Sequence, residues 1–261
     1  MDASWDPAAY LTFAGERGRP FADLLARVGA TGPATVVDLG CGDGSATATL
    51  ARRWPHARVT GVDSSPEMLR AAAEHALPGR LGFQQADVRD WQPPGPVDVL
   101  VSNATLHWVP EHPRLLARWA AAVPAGGWLA VQVPGNFAAP THALLAGLCR
   151  SPRWADRLAD AAPDPDTVLP PVGYLDVLTT AGLRTHAWET TYLHVLTGAD
   201  PVLRWVGGTA LRPVLARLDD RAAADFTASY GAALREAYPV REDGTTVLPF
   251  RRVFAVGSRA V

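Results

Sequence analysis

The sequence predicts an open α/β fold, a mostly parallel sheet with helices on both faces. Three observations carry that prediction. Short apolar runs alternate with stretches of helical spacing for about a hundred residues. The runs are short and apolar, the pattern of strands in a parallel sheet covered on both faces. One run ends in "DLGCGDGS", where Gly40, Gly42 and Gly44 lead directly into a helical stretch.

Residues 1–30 read as an amphipathic helical lead-in. Phe21, Leu24, Leu25 and Val28 repeat at three and four, and Trp5, Tyr10 and Phe13 also fit a helical face, as a ligand cover or as a packing stripe. After "TGPAT" come the strands "TVVDL", "ARVTGVD", "LGFQQAD", "VDVLVSN" and "GWLAVQVP". Between them lie the helices "SATATLARRW", "SPEMLRAAAEHA" and "EHPRLLARWAAAV". Ser65 before Pro66 is a cap followed by an N1 proline, and Pro113 fits a first helical turn. Beyond Pro134 the rhythm changes. Residues 135–181 hold several prolines and two helical stretches but no clean strand, and read as an insertion over the sheet's carboxyl edge rather than a separate domain. Strand character returns in "RTHAWETTYLHV", two or three helices fill 199–237, and "TVLPFRRVFAVGSRA" is a last strand. The expected organisation is one domain over 1–261. It has a lid at 1–30, a ligand-binding half at 31–134, helical cap elements at 135–181 and 199–237, and strands at 184–195 and 246–258.

Composition narrows the chemistry. The chain has 261 residues, is 48% hydrophobic and carries a formal net charge of −2, so it lacks the basic field of a nucleic-acid binder. All 24 basic residues are arginines. Without lysine, a Walker A phosphate site, a Schiff base and a Tyr/Lys hydride-transfer pair are excluded. Cys41 and Cys149 are unpatterned and suggest neither a disulfide framework nor a metal site. "MDASWDPAAY" has no signal-peptide core, and no apolar run reaches the roughly 18–20 residues that cross a bilayer. A cytoplasmic protein without a membrane partner is expected.

In open α/β sheets a ligand sits outside the strands' carboxyl ends, at the topological switch point. A dinucleotide turn wants a third glycine where this chain has Ser45, and a triphosphate turn wants a lysine. "DLGCG" instead resembles the acid-x-Gly-x-Gly motif of class I methyltransferases, with Asp38, Gly40 and Gly42 in its places. The resemblance implies S-adenosylmethionine, whose sulfonium and amino group suit a carboxylate beside the turn. Asp63, ending the second strand 25 residues after Asp38, is placed to accept ribose hydroxyls, with Ser64 and Met68 beside it. Asp87 and Val88, ending the third strand, match the adenine side, and Asn103 and Ala104 follow the fourth. A Rossmann-like, seven-stranded, mostly parallel sheet with an antiparallel last strand and a helical cap insertion is implied with them.

After the fourth strand, "SNATLHWVP" lacks the Pro-Pro-aromatic of amide methylases, and neither cysteine follows a proline as a cytosine methylase requires. That leaves a small-molecule acceptor. Here the chain resembles the trans-aconitate methyltransferase family nearly end to end. The motifs are "WDPAAYLTF" with Arg19-Pro20, "VVDLGCGDG", "VDSSPEML", "SNATLHWVPEH", "VQVPGN" with His142, "WETTYLHVL", "DPVLRWVGGTALRP", "AYP" and "PFRRVFAV". Two departures stand out, Asp43 where the family often has Pro or Asn and His107 where it commonly has Gln. The resemblance implies methyl transfer to an ionised carboxylate, which needs alignment rather than a general base. Unreacting carboxylates would be held by arginine, best suited to bidentate contact: Arg19, Arg212, and one of the adjacent Arg251 and Arg252. Tyr10, Trp108, His142, Trp188 and Tyr192 complete the acceptor candidates, with His107 and Tyr192 as positioning groups. A monomer without metal is expected. Two other readings stay open: a small-molecule O- or C-methyltransferase of secondary metabolism using His107 as base, and a protein that binds the cofactor without turnover.

Overall fold

A computed structural model describes the backbone of residues 14–261 and the side chains from Gly18 onward. Trp5, Tyr10 and Phe13 lie outside the described residues. The described chain forms helices α1 (Ala14–Ala26), α2 (Ser45–Arg53), α3 (Pro66–Ala72), α4 (His112–Ala122), α5 (Pro140–Cys149), α6 (Ala155–Leu158), α7 (Pro171–Thr180), α8 (Pro201–Gly207), α9 (Arg212–Leu215) and α10 (Asp220–Ala237). Its strands are β1 (Thr35–Leu39), β2 (Arg58–Asp63), β3 (Leu81–Gln85), β4 (Val99–Asn103), β5 (Trp128–Pro134), β6 (Arg184–Leu196) and β7 (Thr246–Ser258). They make one seven-stranded sheet in the order β3-β2-β1-β4-β5-β7-β6. The first five strands are parallel, and β7 runs antiparallel to β5. The expected sheet is therefore present, and its order reverses direction between β1 and β4.

The chain divides into two compact units. One holds the described residues up to Pro134 with Val168–Thr190 and Arg252–Val261; the other holds Gly135–Thr167 and Thr191–Arg251. In the first, β1 and β4 are apolar runs because both their faces are covered: Val36, Leu39, Val99, Leu100 and Val101 are fully buried. Ser65 caps α3 by accepting the Met68 N–H, with Pro66 in the first turn as its spacing predicts. In α4, Leu115, Leu116 and Trp119 line the buried side.

Helix α1 shows the buried face that its spacing predicts. Its predicted apolar row, Phe21, Leu24, Leu25 and then Val28, is buried, and the helix packs on β5. Burying four such side chains stabilises by roughly 1.5–3 kcal/mol each. Residues 14–26 thus pack as a helix against the sheet, and the first thirteen residues of the expected lid at 1–30 lie outside the described residues.

The 135–181 stretch divides. Residues 135–167, with α5 and the four-residue α6, belong to the helical unit, whereas α7 belongs to the sheet unit. Tyr174 and Leu178 of α7 enter the same core as Leu116 and Trp119. His112 ties the two helices: its Nδ1–H donates to the Val109 carbonyl at 2.9 Å, and its Nε2 accepts from the Tyr174 hydroxyl at 2.9 Å. The carbonyl can only accept, so the ring's proton sits on Nδ1. Burial pushes the His112 pKa down and keeps the ring neutral. Tyr174→Phe leaves a buried nitrogen without its donor and lowers stability by about 1–2 kcal/mol; urea unfolding measures this, and an unchanged midpoint would refute the role given to this bond.

The helical unit has its own core. Phe226, Tyr230 and Leu234 of α10 are buried, and Trp154 packs edge-on against Phe226 at 5.3 Å. The Tyr230 hydroxyl donates to the Thr141 carbonyl at 2.7 Å, and Asp219 caps α10 through the Ala222 N–H. Three helices occupy 199–237, the upper end of the expected number.

Candidate active site

The glycine turn lies at the carboxyl end of β1, beside the switch point between β1 and β4. Gly40 has φ 80°, and a Cβ on it would lie 2.0 Å from the Thr105 hydroxyl oxygen. Gly40 N–H donates to the Val62 carbonyl at 2.7 Å, stitching the turn to β2. Gly42 has φ 54°, and nothing lies within 4 Å of where its Cβ would stand. That open space is a cradle a side chain would fill, as a turn approached by a ligand requires.

Two aspartates flank the turn and differ in character. Asp63 shares its carboxylate between the Gly42 N–H and the Ser65 N–H, both at 2.9 Å, so it shapes the loop while keeping lone pairs for another donor. Asp38 is only 2% exposed. Its Oδ2 accepts from the Thr47 hydroxyl at 2.6 Å. Burial pushes its pKa up to about 6, the Thr47 hydrogen bond opposes that, and the charge of Asp63 adds to it. A cation delivered to this site would favour the ionised form and draw the pKa back down.

Asp87 shows a partner the sequence did not announce. Arg89 donates from its backbone N–H at 2.8 Å and from its guanidinium to both carboxylate oxygens. The pair holds the Asp87 pKa below the ordinary range. Val88 and Met68 are buried, and Ser64 is exposed, its carbonyl accepting from Gln85.

At the end of β4, Ala104 has φ 54°, a strained conformation for a residue with a side chain. Its N–H donates to the Gln132 carbonyl at 2.9 Å. Thr105 Oγ1 donates to the carbonyls of Gly40 (3.3 Å) and Asn103 (3.2 Å), fastening this bend to the glycine turn. Asn103 and Gln132 are register partners on β4 and β5. Asn103 Oδ1 and both side-chain amide atoms of Gln132 are buried and have no hydrogen-bond partner among the described residues. Each such group costs about 1–3 kcal/mol unless a ligand satisfies it. The sequence reading named Asn103 but missed Gln132, Thr47 and Thr105. A lone amide inside "WLAVQVP" was the available signal.

The acceptor candidates fall in both units. In the sheet unit, His107 and Trp108 form a 3-10 turn after β4, rings 4.6 Å apart, with Trp108 half exposed. Trp188 stacks flat on Phe254 at 4.8 Å, and the Arg27 guanidinium lies over its ring. Arg19 is exposed, while Arg252 is 7% exposed and stands opposite Pro134 of β5. In the helical unit, His142 bonds Thr141 at 3.0 Å, and burial pulls its pKa to about 4, so the ring is neutral at pH 7. Tyr192 stacks on His194 along β6, and Arg212 begins α9. The backbone of Arg251 exchanges hydrogen bonds with the Asn136 side chain, and its guanidinium donates to the Gly135 carbonyl at 3.4 Å.

A family model described as a methyltransferase domain matches residues 36–127, from β1 to the residue before β5. A trans-aconitate 2-methyltransferase from Streptomyces avermitilis is 55% identical, covering 98% of this chain and 97% of its own. The chain belongs to the trans-aconitate 2-methyltransferase family. A second member, from Mycolicibacterium gilvum, is 54% identical over 97% of this chain and 98% of its own. Solved structures share the fold at much lower identity. The YcgJ protein of Bacillus subtilis has a TM-score of 0.59 at 14% identity, covering 93% of this chain and 99% of its own. A Haemonchus contortus phosphoethanolamine N-methyltransferase in complex with S-adenosyl-L-methionine has a TM-score of 0.55 at 16% identity, covering 96% of this chain and 56% of its own. Membership of this family extends through the C-terminal half, beyond the residues that the domain model matches.

Proposed function

We propose that this protein is an S-adenosylmethionine-dependent O-methyltransferase that forms the monomethyl ester of trans-aconitate or a close di- or tricarboxylate. The observation that carries the reading is identity of about half across the whole chain to relatives of that name. The glycine turn fits the cofactor, with open space at Gly42 and carboxylates at Asp38 and Asp63 suited to a cation and to hydroxyl donors. When bound, S-adenosylmethionine supplies an electrophilic methyl group.

The chain's own task is then alignment. An acceptor carboxylate, with a pKa near 4, is ionised at neutral pH, so no side chain has to remove its proton. His107 and Tyr192 position rather than act as bases. The buried Arg252 is the strongest candidate to hold an unreacting carboxylate, because a guanidinium shielded from water binds it most firmly. Arg212 is the second. His142, neutral at pH 7, offers a hydrogen bond but no charge. Esterification removes one negative charge from the acceptor, which lowers its overall attraction to the arginines of the site and favours release. The protein acts as one catalytic domain, a cytoplasmic monomer with neither nucleic acid nor membrane as partner; among the described residues no helix is long and apolar enough to cross a membrane.

The test is transfer of labelled methyl to trans-aconitate beside cis-aconitate, citrate, isocitrate and a phenol. Trans-aconitate should dominate. Arg252→Gln should raise the acceptor KM at least tenfold, the scale of one lost charge-assisted contact, with a smaller change in kcat. Methylation of the phenol and of no acid would overturn the reading.

A further inference from the structure

We propose that Gln132, together with Asn103, holds the α-amino-acid end of S-adenosylmethionine. The proposal rests on the cofactor named above and assigns it a residue outside the glycine and aspartate set. Gln132 is 1% exposed, and neither atom of its amide has a partner among the described residues. Its register partner Asn103 presents one more orphaned oxygen. Directly opposed residues on neighbouring strands point to the same face. Two residues back along the same rows, Asp38 pairs with Val101 and Val101 with Ala130. Alternation therefore puts the Asp38 carboxylate on the face that carries Asn103 and Gln132.

The inventory of unmet hydrogen bonds selects the ligand. At the Asn103–Gln132 pair itself it contains one donor, the Gln132 amide nitrogen, and two acceptors, Gln132 Oε1 and Asn103 Oδ1. Turning the Gln132 amide over exchanges its atoms without altering that count. A polycarboxylate at neutral pH brings only acceptors and satisfies one group of the three. An α-amino-acid zwitterion brings an ammonium for the two oxygens and a carboxylate for the nitrogen, and satisfies all of them. Ribose hydroxyls could also serve both kinds, but Asp63 ends β2, three strands from β5 and so roughly 14 Å away. A ribose held at Asp63 leaves β4 and β5 for the amino-acid tail. The strained bend at Ala104, whose N–H bonds the Gln132 carbonyl, fixes the backbone of both residues at this place.

The experiment compares two ligands by calorimetry: S-adenosylhomocysteine, which carries the amino-acid tail, and 5′-methylthioadenosine, which lacks it. In Gln132→Met, of similar volume, affinity for S-adenosylhomocysteine should fall at least tenfold while that for 5′-methylthioadenosine stays within twofold. Gln132→Glu keeps a polar group in place and opposes the tail's carboxylate with its own charge, so it should show the same selective loss. Equal weakening of both ligands overturns the proposal, as does unchanged affinity for S-adenosylhomocysteine with a raised acceptor KM. Wild-type binding of S-adenosylhomocysteine separates this failure from others. If it is absent the cofactor reading falls; if it is present and no acid is methylated, only the acceptor falls.

Discussion

Gly40→Ala should abolish measurable binding of S-adenosylhomocysteine and lower the melting temperature by roughly 10 °C. Two costs add. The residue sits at φ 80°, where a side chain meets its own backbone, for about 1–2 kcal/mol. Its Cβ would also stand 2.0 Å from Thr105 Oγ1 and 2.3 Å from Cγ2, overlaps that force Thr105 or the turn to move. Overpacking of this kind costs about 1–3 kcal/mol more, and each kcal/mol is worth roughly 2–4 °C in a chain of this size. Displacing Thr105 breaks its bonds to the Gly40 and Asn103 carbonyls, so the bends after β1 and β4 lose register together. Gly42→Ala is the control. Its Cβ meets no protein atom, so the fold bears only the conformational strain, yet the new methyl occupies the cradle. It should lose affinity with a much smaller fall in melting temperature. A Gly40→Ala protein that melts like wild type would show that the Thr105 contact does not hold this turn.

The same contrast explains which features were legible from sequence. Gly40 and Gly42 are visible as letters, and so is the rhythm of β1 to β5, because short and mostly apolar strands alternate with helices of regular spacing. The cap at Ser65 and the row Phe21, Leu24, Leu25 and Val28 are local, set by spacings within one helix. What was hidden depends on partners far along the chain. Thr105 reaches back 65 residues to Gly40, and nothing near either residue announces it. Thr47 reads as an ordinary helical residue until β1 brings Asp38 against it. The sequence places helical stretches in 135–181 but not which unit buries each; the hydrogen bond from Tyr174 to His112, 62 residues away, belongs to the fold alone. Gln132 was partly legible. An amide in the middle of an apolar strand breaks the burial pattern, and strands break it where a buried polar group has work to do.

Asp38→Asn should weaken S-adenosylhomocysteine binding by about 10–150-fold, the worth of a hydrogen bond to a charged group, and should also flatten its pH dependence. In the unliganded protein the Asp38 pKa is raised from 3.8 to about 6, chiefly because burial disfavours the charge. A ligand ammonium binds the ionised carboxylate, so wild-type affinity should be level above pH 6 and fall about tenfold per unit below it. The asparagine variant, with nothing to titrate there, should show no such slope, and the difference between the two proteins removes the contributions of other groups. Stability runs in the opposite sense. Between pH 3.8 and 6 the folded state holds a proton at Asp38 that the unfolded state has released. The stability this provides is present at low pH and is lost as pH rises through about 6. At pH 7 the free wild-type protein therefore bears a buried charge worth at most about 3 kcal/mol, and Asp38→Asn relieves it, since the Thr47 hydroxyl can turn to accept from the new amide. The variant should melt higher without ligand and gain less when S-adenosylhomocysteine is added. Affinity that stays constant from pH 5 to 8 in the wild type would mean that Asp38 does not face the cation, and the ammonium would then rest on Gln132 and Asn103 alone.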